Sequence, residues 1–280
     1  MGFLFATCVE KRYILQMKHE KLYEFVQNIQ SRGEYTFSFE DALKNLVISE
    51  IALRSALQRL QTKKVIVRLH EKFYLIVPVE YRKAGALPPT WFIDALMSHL
   101  NCDYYVGLLS AAALQGAGHQ QPQQFQIVGN KIFRPIHKNR IDIQFFKKSY
   151  LKDNQKIKLK TTTGYLWISK PEVTVIDLIT HVKNVGYLNN VVTVLAELLE
   201  TLDPKELLES AKDKVPLAIL QRLGYLLDFC GGEKVTCLLH EWLMQQKIQI
   251  VSLRPDKHAE GAIVSKKWNV RVNDVIEVDE

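Results

Sequence analysis

Hydrophobic residues recur at helical spacing near the start of the chain. Between Lys18 and Ser31 the apolar positions fall three or four residues apart, which predicts an amphipathic helix ending at Arg32-Gly33. Ser38 can cap a second, short helix over Phe39–Leu46, with Asp41 in its first turn, where a carboxylate suits the helix dipole. We therefore expect two helices before a turn at residues 45–48.

A third helix is predicted to begin after Ser49, which can cap it. Its buried stripe would consist of Leu53, Ala56, Leu57 and Leu60. The opposite face is rich in side chains that read base edges or hold phosphates, as a DNA recognition helix requires. The candidates on and around this helix are Ser49, Arg54, Ser55, Gln58, Arg59 and Lys63.

After Lys64 the pattern changes to two short β-rich runs, Val65–Leu69 and Phe73–Val77, which predict a hairpin. Three helices followed by such a hairpin are typical of a winged helix-turn-helix, whose third helix enters the DNA major groove. We assign this domain to residues 1–87. On the hairpin, the candidate phosphate contacts are Lys64, Arg68 and Lys72.

Charge supports this interpretation, because the excess of basic residues is local. The chain has a formal net charge of +7, and between Ser49 and Lys83 eight basic residues stand against three acidic ones. A basic block on one small module favours a polyanionic partner, here double-stranded DNA. The alternative is that the module binds another protein, as some winged helices do.

Pro88-Pro89 indicates a linker, since consecutive prolines continue neither a helix nor a strand ladder. The remainder, residues 88–280, alternates strands and helices and becomes mostly helical from Pro171. Extended alternation returns at Val270–Val278. The predicted fold class is α+β: an N-terminal winged helix-turn-helix and a larger mixed α/β domain ending in a helical segment.

Few residues indicate an enzyme. The cysteines and histidines are scattered without metal-ligand spacing, and no nucleotide-binding or nucleophile motif occurs, so we expect no metal and no cofactor. Asp142 beside Lys147 and Lys148 resembles half of a nuclease site, but Gln144 stands where the second carboxylate would be needed. The chain has no apolar run long enough for a membrane span, and we expect a cytoplasmic protein.

Four segments of the second domain together carry a family resemblance. Residues 105–116 (YVGLLSAAALQG) followed by Gln121-Pro122, and residues 169–178 (SKPEVTVIDL), resemble two motif segments of the AbiEi antitoxin family. Residues 222–227 (RLGYLL) and 268–273 (WNVRVN) resemble later segments of it. Val173 stands where the family usually has Arg. The motif positions of interest are Ser110, Gly116, Gln121, Pro122, Glu172, Thr174 and Asp177.

The resemblance implies an antitoxin of a type IV toxin–antitoxin system in phage defence by abortive infection. It implies an N-terminal domain that represses its own operon and a C-terminal domain that counters a nucleotidyltransferase-like toxin, without requiring a stable complex with it. Two alternatives remain open: a plain transcriptional regulator with an effector-binding second domain, and a DNA-tethered nuclease at Asp142.

Overall fold

The fold is described from a computed structural model, for residues 21–117 and 122–276. It mixes helices and sheets, which confirms the predicted α+β class. The chain divides into two compact units, each built from several stretches. Unit 1 comprises Met1–Asp103, Lys131–Phe145 and Leu159–Leu166, and unit 2 comprises Tyr104–Asn130, Phe146–Lys158 and Trp167–Glu280. The domain boundary at residues 87–88 stays a prediction.

The first three helices of unit 1 follow the hydrophobic pattern. Their bounds are residues 21–31 (α1), Phe39–Asn45 (α2) and Glu50–Thr62 (α3). The predicted start of the first helix at Lys18 lies outside the described residues. All four residues of the predicted stripe of α3 are buried, in a core that also contains Leu22 and Val26 of α1. Burial of apolar surface thus fixes which face of α3 remains exposed.

A three-stranded sheet completes this part of unit 1. Its strands are Thr36–Ser38 (β1), Ile66–His70 (β2) and Phe73–Ile76 (β3), in the order β1-β3-β2 and antiparallel throughout. The predicted hairpin is therefore present. Its two-residue turn places Lys72 in the left-handed region, with φ of 58°. Lysine adopts this conformation at a cost that glycine avoids, so the turn lacks the residue best suited to it.

A second sheet has six strands in the order β6-β7-β5-β4-β9-β8. The strands are Tyr104–Val106 (β4), Phe125–Gly129 (β5), Ile136–Lys138 (β6), Ile141–Lys147 (β7), Lys156–Thr161 (β8) and Gly164–Ser169 (β9). In unit 2, β4 pairs antiparallel with β5 and parallel with β9, where Val106 lies opposite Ile168. Ile93–His99 forms α4, and Leu108–Leu114 forms α5 directly after β4.

The remainder of unit 2 is mainly helical, as predicted. Its helices are Pro171–Thr180 (α6), Tyr187–Leu198 (α7), Pro204–Ala211 (α8), Leu217–Phe229 (α9) and Glu233–Met244 (α10). After Leu198 the helix α7 continues as a 3-10 turn over Leu199–Thr201. Pro171 occupies the first turn of α6, where a missing N–H costs nothing. Buried residues of α5, α6, α7, α9 and α10 share one hydrophobic core.

Three very short strands close the described chain. They are Val251–Ser252 (β10), Val264–Ser265 (β11) and Val270–Arg271 (β12), with β12 between the other two. The predicted extended segment Val270–Val278 is thus a strand only at its start, and residues 277–280 are not described. None of the helices in the described ranges is both long and apolar enough to span a membrane.

Candidate functional site

The predicted recognition helix α3 presents a polar and basic face. Ser49 caps the helix, because its hydroxyl accepts a hydrogen bond from the Ala52 amide at 3.4 Å. Arg54, Gln58 and Arg59 are exposed, whereas Ser55 is half-buried and donates its hydroxyl to the carbonyl of Ile51 at 3.1 Å. Ser49 and Ser55 therefore already make hydrogen bonds within the helix.

The basic side chains of α3 and the hairpin form what we call the basic surface. Its members are Arg54, Arg59, Lys63, Lys64, Arg68 and Lys72, all exposed. Among the described residues, no acidic side chain pairs with Arg59, Lys63, Lys64 or Arg68. These four positive charges are available to an external anion.

Two members of the basic surface have protein partners. Arg54 lies 3.5 Å from the Glu50 carboxylate, and its guanidinium carbon is 4.9 Å from the centre of the Phe39 ring. The Lys72 ammonium lies 2.7 Å from Glu40 and holds the pKa of that carboxyl below its usual value through a side-chain hydrogen bond. Lys72 is accordingly a weaker candidate phosphate contact than Lys64.

Several residues of the motif segments in unit 2 lie instead in the core. Tyr105 on β4 is fully buried and donates its hydroxyl to Asp177 of α6 at 2.6 Å. The Lys148 ammonium donates to the same hydroxyl at 2.9 Å and to the other oxygen of Asp177 at 3.1 Å. Burial, and then the charge of Asp177, raise the pKa of Tyr105 well above its usual value. This cluster holds β4, α6 and the chain after β7 together.

A second cluster joins the same two motif segments. The hydroxyls of Ser169 and Thr174 are 2.7 Å apart, and both residues are fully buried. Gln115 donates its side-chain amide to the Ser169 carbonyl at 2.7 Å and to the Thr174 hydroxyl at 3.2 Å. We call Tyr105, Gln115, Lys148, Ser169, Thr174 and Asp177 the motif network. Segments far apart in sequence are linked here by polar contacts.

The other motif positions also have structural partners. The Ser110 hydroxyl accepts from the Gln126 amide at 2.9 Å, so it ties α5 to β5. Gly116 has φ of 91°, a conformation that favours glycine after a helix. Pro122 is half-buried, while Gln121 lies outside the described residues.

Glu172 lies in the first turn of α6 and makes a specific contact with the chain before α8. Its side chain is buried, and it accepts a hydrogen bond from the backbone amide of Asp203 at 2.9 Å. Asp203 in turn caps α8 through the amides of Lys205 and Glu206. Glu172 thereby fixes the start of α8 against α6.

The two later motif segments also meet in unit 2. A side chain at Gly224 would collide with the ring of Trp268, which is fully buried. The Trp268 indole donates to Asp228 at 2.7 Å, and Gln221 donates its amide to the Trp268 carbonyl at 2.9 Å. Glycine at residue 224 is therefore required by the close approach of the tryptophan.

The nuclease-like residues do not assemble into a catalytic cluster in the part of the chain that is described. Asp142 lies 3.0 Å from the Nδ1 atom of His137, whereas Lys148 binds Tyr105 and Asp177. Within residues 21–117 and 122–276, no three His, Cys, Asp or Glu side chains are grouped so that they could hold a metal ion.

Comparison with known proteins gives a family match for part of the chain. A family model of the AbiEi antitoxin C-terminal domain matches residues 105–229. The crystal structure of the RV2827C protein from Mycobacterium tuberculosis aligns over 88% of this chain and 89% of its own, with 15% identity and a TM-score of 0.63. At that identity the likeness shows a shared fold and nothing about activity.

Another solved structure, an antigenic nucleotidyltransferase-like protein from Paracoccidioides brasiliensis, covers 56% of this chain and 90% of its own. Its identity of 11% and TM-score of 0.32 are too low to support an argument. No curated protein matches the chain. The family match spans three of the four motif segments and confirms the resemblance there, so residues 105–229 are an AbiEi antitoxin C-terminal domain; the segment at residues 268–273 lies beyond the match.

Proposed function

We propose that the protein is the antitoxin of a type IV toxin–antitoxin system and a DNA-binding repressor of its own operon. It counters a nucleotidyltransferase-like toxin in the cytoplasm, as part of phage defence, and catalyses no reaction itself. The observation that carries the antitoxin role is the match of residues 105–229 to the antitoxin domain. Direct binding of the toxin is not needed for this proposal.

DNA binding is supported by the order of elements and by the basic surface. Helices α1 to α3 and the β2–β3 hairpin follow one another as in a winged helix-turn-helix, in which α3 would enter the major groove. Arg54, Gln58 and Arg59 would then face base edges, and Lys64 and Arg68 would face phosphates. Ile51, which is 80% exposed and one turn from Arg54, offers an apolar contact to a thymine methyl group.

Growth rescue tests the antitoxin role. The full-length protein is expressed from an unrelated promoter together with the gene adjacent to its own, and colony formation is scored. The wild type is expected to restore growth. Absence of rescue, with both proteins detected in the cells, would overturn the antitoxin proposal.

The matched control is the variant Arg59→Ala/Lys63→Ala, which changes exposed residues of unit 1. Because the promoter is unrelated, repression is irrelevant in this assay, and the control should rescue as well as the wild type. A control that folds but fails to rescue would show that the basic surface is itself needed against the toxin. The proposed separation between DNA binding and toxin control would then be wrong.

A further inference from the structure

A second feature of unit 2, independent of its antitoxin assignment, is a cavity between α6, α9 and the segment after β10. Its volume is about 290 Å³. Its apolar walls come from Ile179, Leu188, Ile219, Leu226, Leu253 and Pro255. Polar side chains converge on the same space. This combination of apolar walls and a few polar groups is typical of a site for a small molecule, and the volume lies at the lower end of the usual range.

Arg222 of α9 is the central polar group of the cavity. It is half-buried, and its Nε atom donates to the Ser252 carbonyl at 2.9 Å. No acidic side chain of the described chain pairs with it, and its two terminal nitrogens make no hydrogen bond there. Burial lowers its pKa. A guanidinium withdrawn from water without a counterion is unfavourable, and an anion in the cavity would relieve that cost.

The surrounding charges favour an anion as well. Arg254 binds both Asp256 and Asp274, and Asp274 also binds Lys257. Arg254, Lys257, Lys183 and Arg222 carry four positive charges at and beside the cavity. Asp256 and Asp274 carry two negative charges, so two positive charges remain in excess. The C-terminal end of α6 faces the same space, but a helix end carries only about half an elementary charge. The potential in the cavity therefore remains positive.

We propose that this cavity binds a small organic phosphate of about nucleoside monophosphate size. The phosphate would sit on the free terminal nitrogens of Arg222, with Lys183 as a second contact, because a guanidinium fork matches phosphate oxygens in a bidentate manner. The apolar walls would hold the base or another flat group. Carbonyls at the end of α6 would accept hydrogen bonds from ligand hydroxyls.

Isothermal titration of the full-length protein with AMP, UMP and inorganic phosphate tests the proposal. We expect saturable binding of a nucleoside monophosphate and weaker binding of inorganic phosphate, which lacks the apolar contacts. Arg222→Gln should weaken binding about 10- to 100-fold, the effect of losing a charged hydrogen-bond donor. Thermal unfolding of each variant confirms that it is folded.

Two further variants keep the test decisive if Arg222→Gln proves unstable. Asp256→Asn removes a negative charge from the rim and should tighten binding about fivefold. Lys183→Gln should weaken binding, whereas the control Lys234→Gln, an exposed lysine on α10 away from the cavity, should not. Absence of nucleoside monophosphate binding at millimolar concentration, or binding that none of the cavity variants alters, would overturn the proposal.

Discussion

The basic surface and the motif network use charged and polar side chains in opposite ways. In the basic surface, four exposed positive charges have no acidic partner among the described residues. In the motif network, the buried Asp177 and Tyr105 bind each other, and the half-buried Lys148 binds both. Exposed charges cost little to keep unpaired, whereas buried ones must be paired. Family motifs can therefore mark the scaffold, while the proposed DNA binding rests on less distinctive surface residues.

The largest effect is expected from Asp177→Ala. It would leave the Lys148 ammonium and the Tyr105 hydroxyl without their acceptor in the core, at a cost of about 3–5 kcal/mol in the free energy of unfolding. Urea denaturation measures it. Tyr105→Phe is the graded comparison: it keeps the Lys148–Asp177 pair and should cost only about 1–2 kcal/mol. Equal stability of Asp177→Ala and wild type would show that the network does not hold the fold.

Arg59→Ala is the corresponding test of the basic surface. Removal of a side chain that contacts a base should weaken binding to the chain's own upstream DNA by about 1–3 kcal/mol. Because Arg59 is exposed, its removal should change the free energy of unfolding by no more than about 0.5 kcal/mol. Anisotropy titration and urea denaturation of the same preparation report the two quantities. A loss of stability without a loss of DNA affinity would reverse the roles of the two regions.

Gly224→Ala tests the close contact between Gly224 and the Trp268 ring, which joins the two later motif segments. In an exposed helix this change would add about 1 kcal/mol of stability. Here the added methyl group meets the Trp268 ring, and overpacking costs about 1–3 kcal/mol. The clash should dominate, with a net loss of stability in thermal unfolding. In a Trp268→Phe background the cost of Gly224→Ala should shrink; an undiminished cost would mean that the ring is not its cause.

The smallest expected effect is a difference in the salt dependence of DNA binding between variants of two lysines of the basic surface. Lys64 has no acidic partner in the described residues, whereas Lys72 is paired with Glu40. Lys64→Ala should therefore reduce the slope of log affinity against log salt by about one, the value for one lost phosphate contact. Lys72→Ala should reduce it by less. An equal or larger change for Lys72 would show that its ion pair with Glu40 opens on DNA.

The local pattern of hydrophobic and polar residues was sufficient to predict much of the fold. The stripe Leu53, Ala56, Leu57 and Leu60 is buried as predicted, and the hairpin of β2 and β3 forms where the sequence places it. The helix α10 and the strand β6 were not defined by the pattern. In these segments the alternation is short, and burial depends on the rest of the fold.

The motif network was less accessible to prediction, because its contacts join residues distant in sequence. Tyr105 and Asp177 both lie in motif segments, and that is the signal that could have paired them. Nothing local marks Lys148 as their partner, and its neighbours on the strand instead suggested a nuclease lysine. Arg222 was also missed, since only the packed structure shows a guanidinium without a counterion.

DNA titration of a charge-neutralised variant tests the central claim most directly. The wild type and Arg59→Ala/Lys63→Ala/Lys64→Ala are titrated, at several salt concentrations, on a duplex from upstream of the chain's own gene and on a random duplex. We predict that the wild type prefers the upstream duplex with a steep salt dependence, and that the folded variant loses both the preference and most of the slope. A folded variant with unchanged affinity and slope would place the DNA-binding surface elsewhere and contradict the proposed winged-helix function.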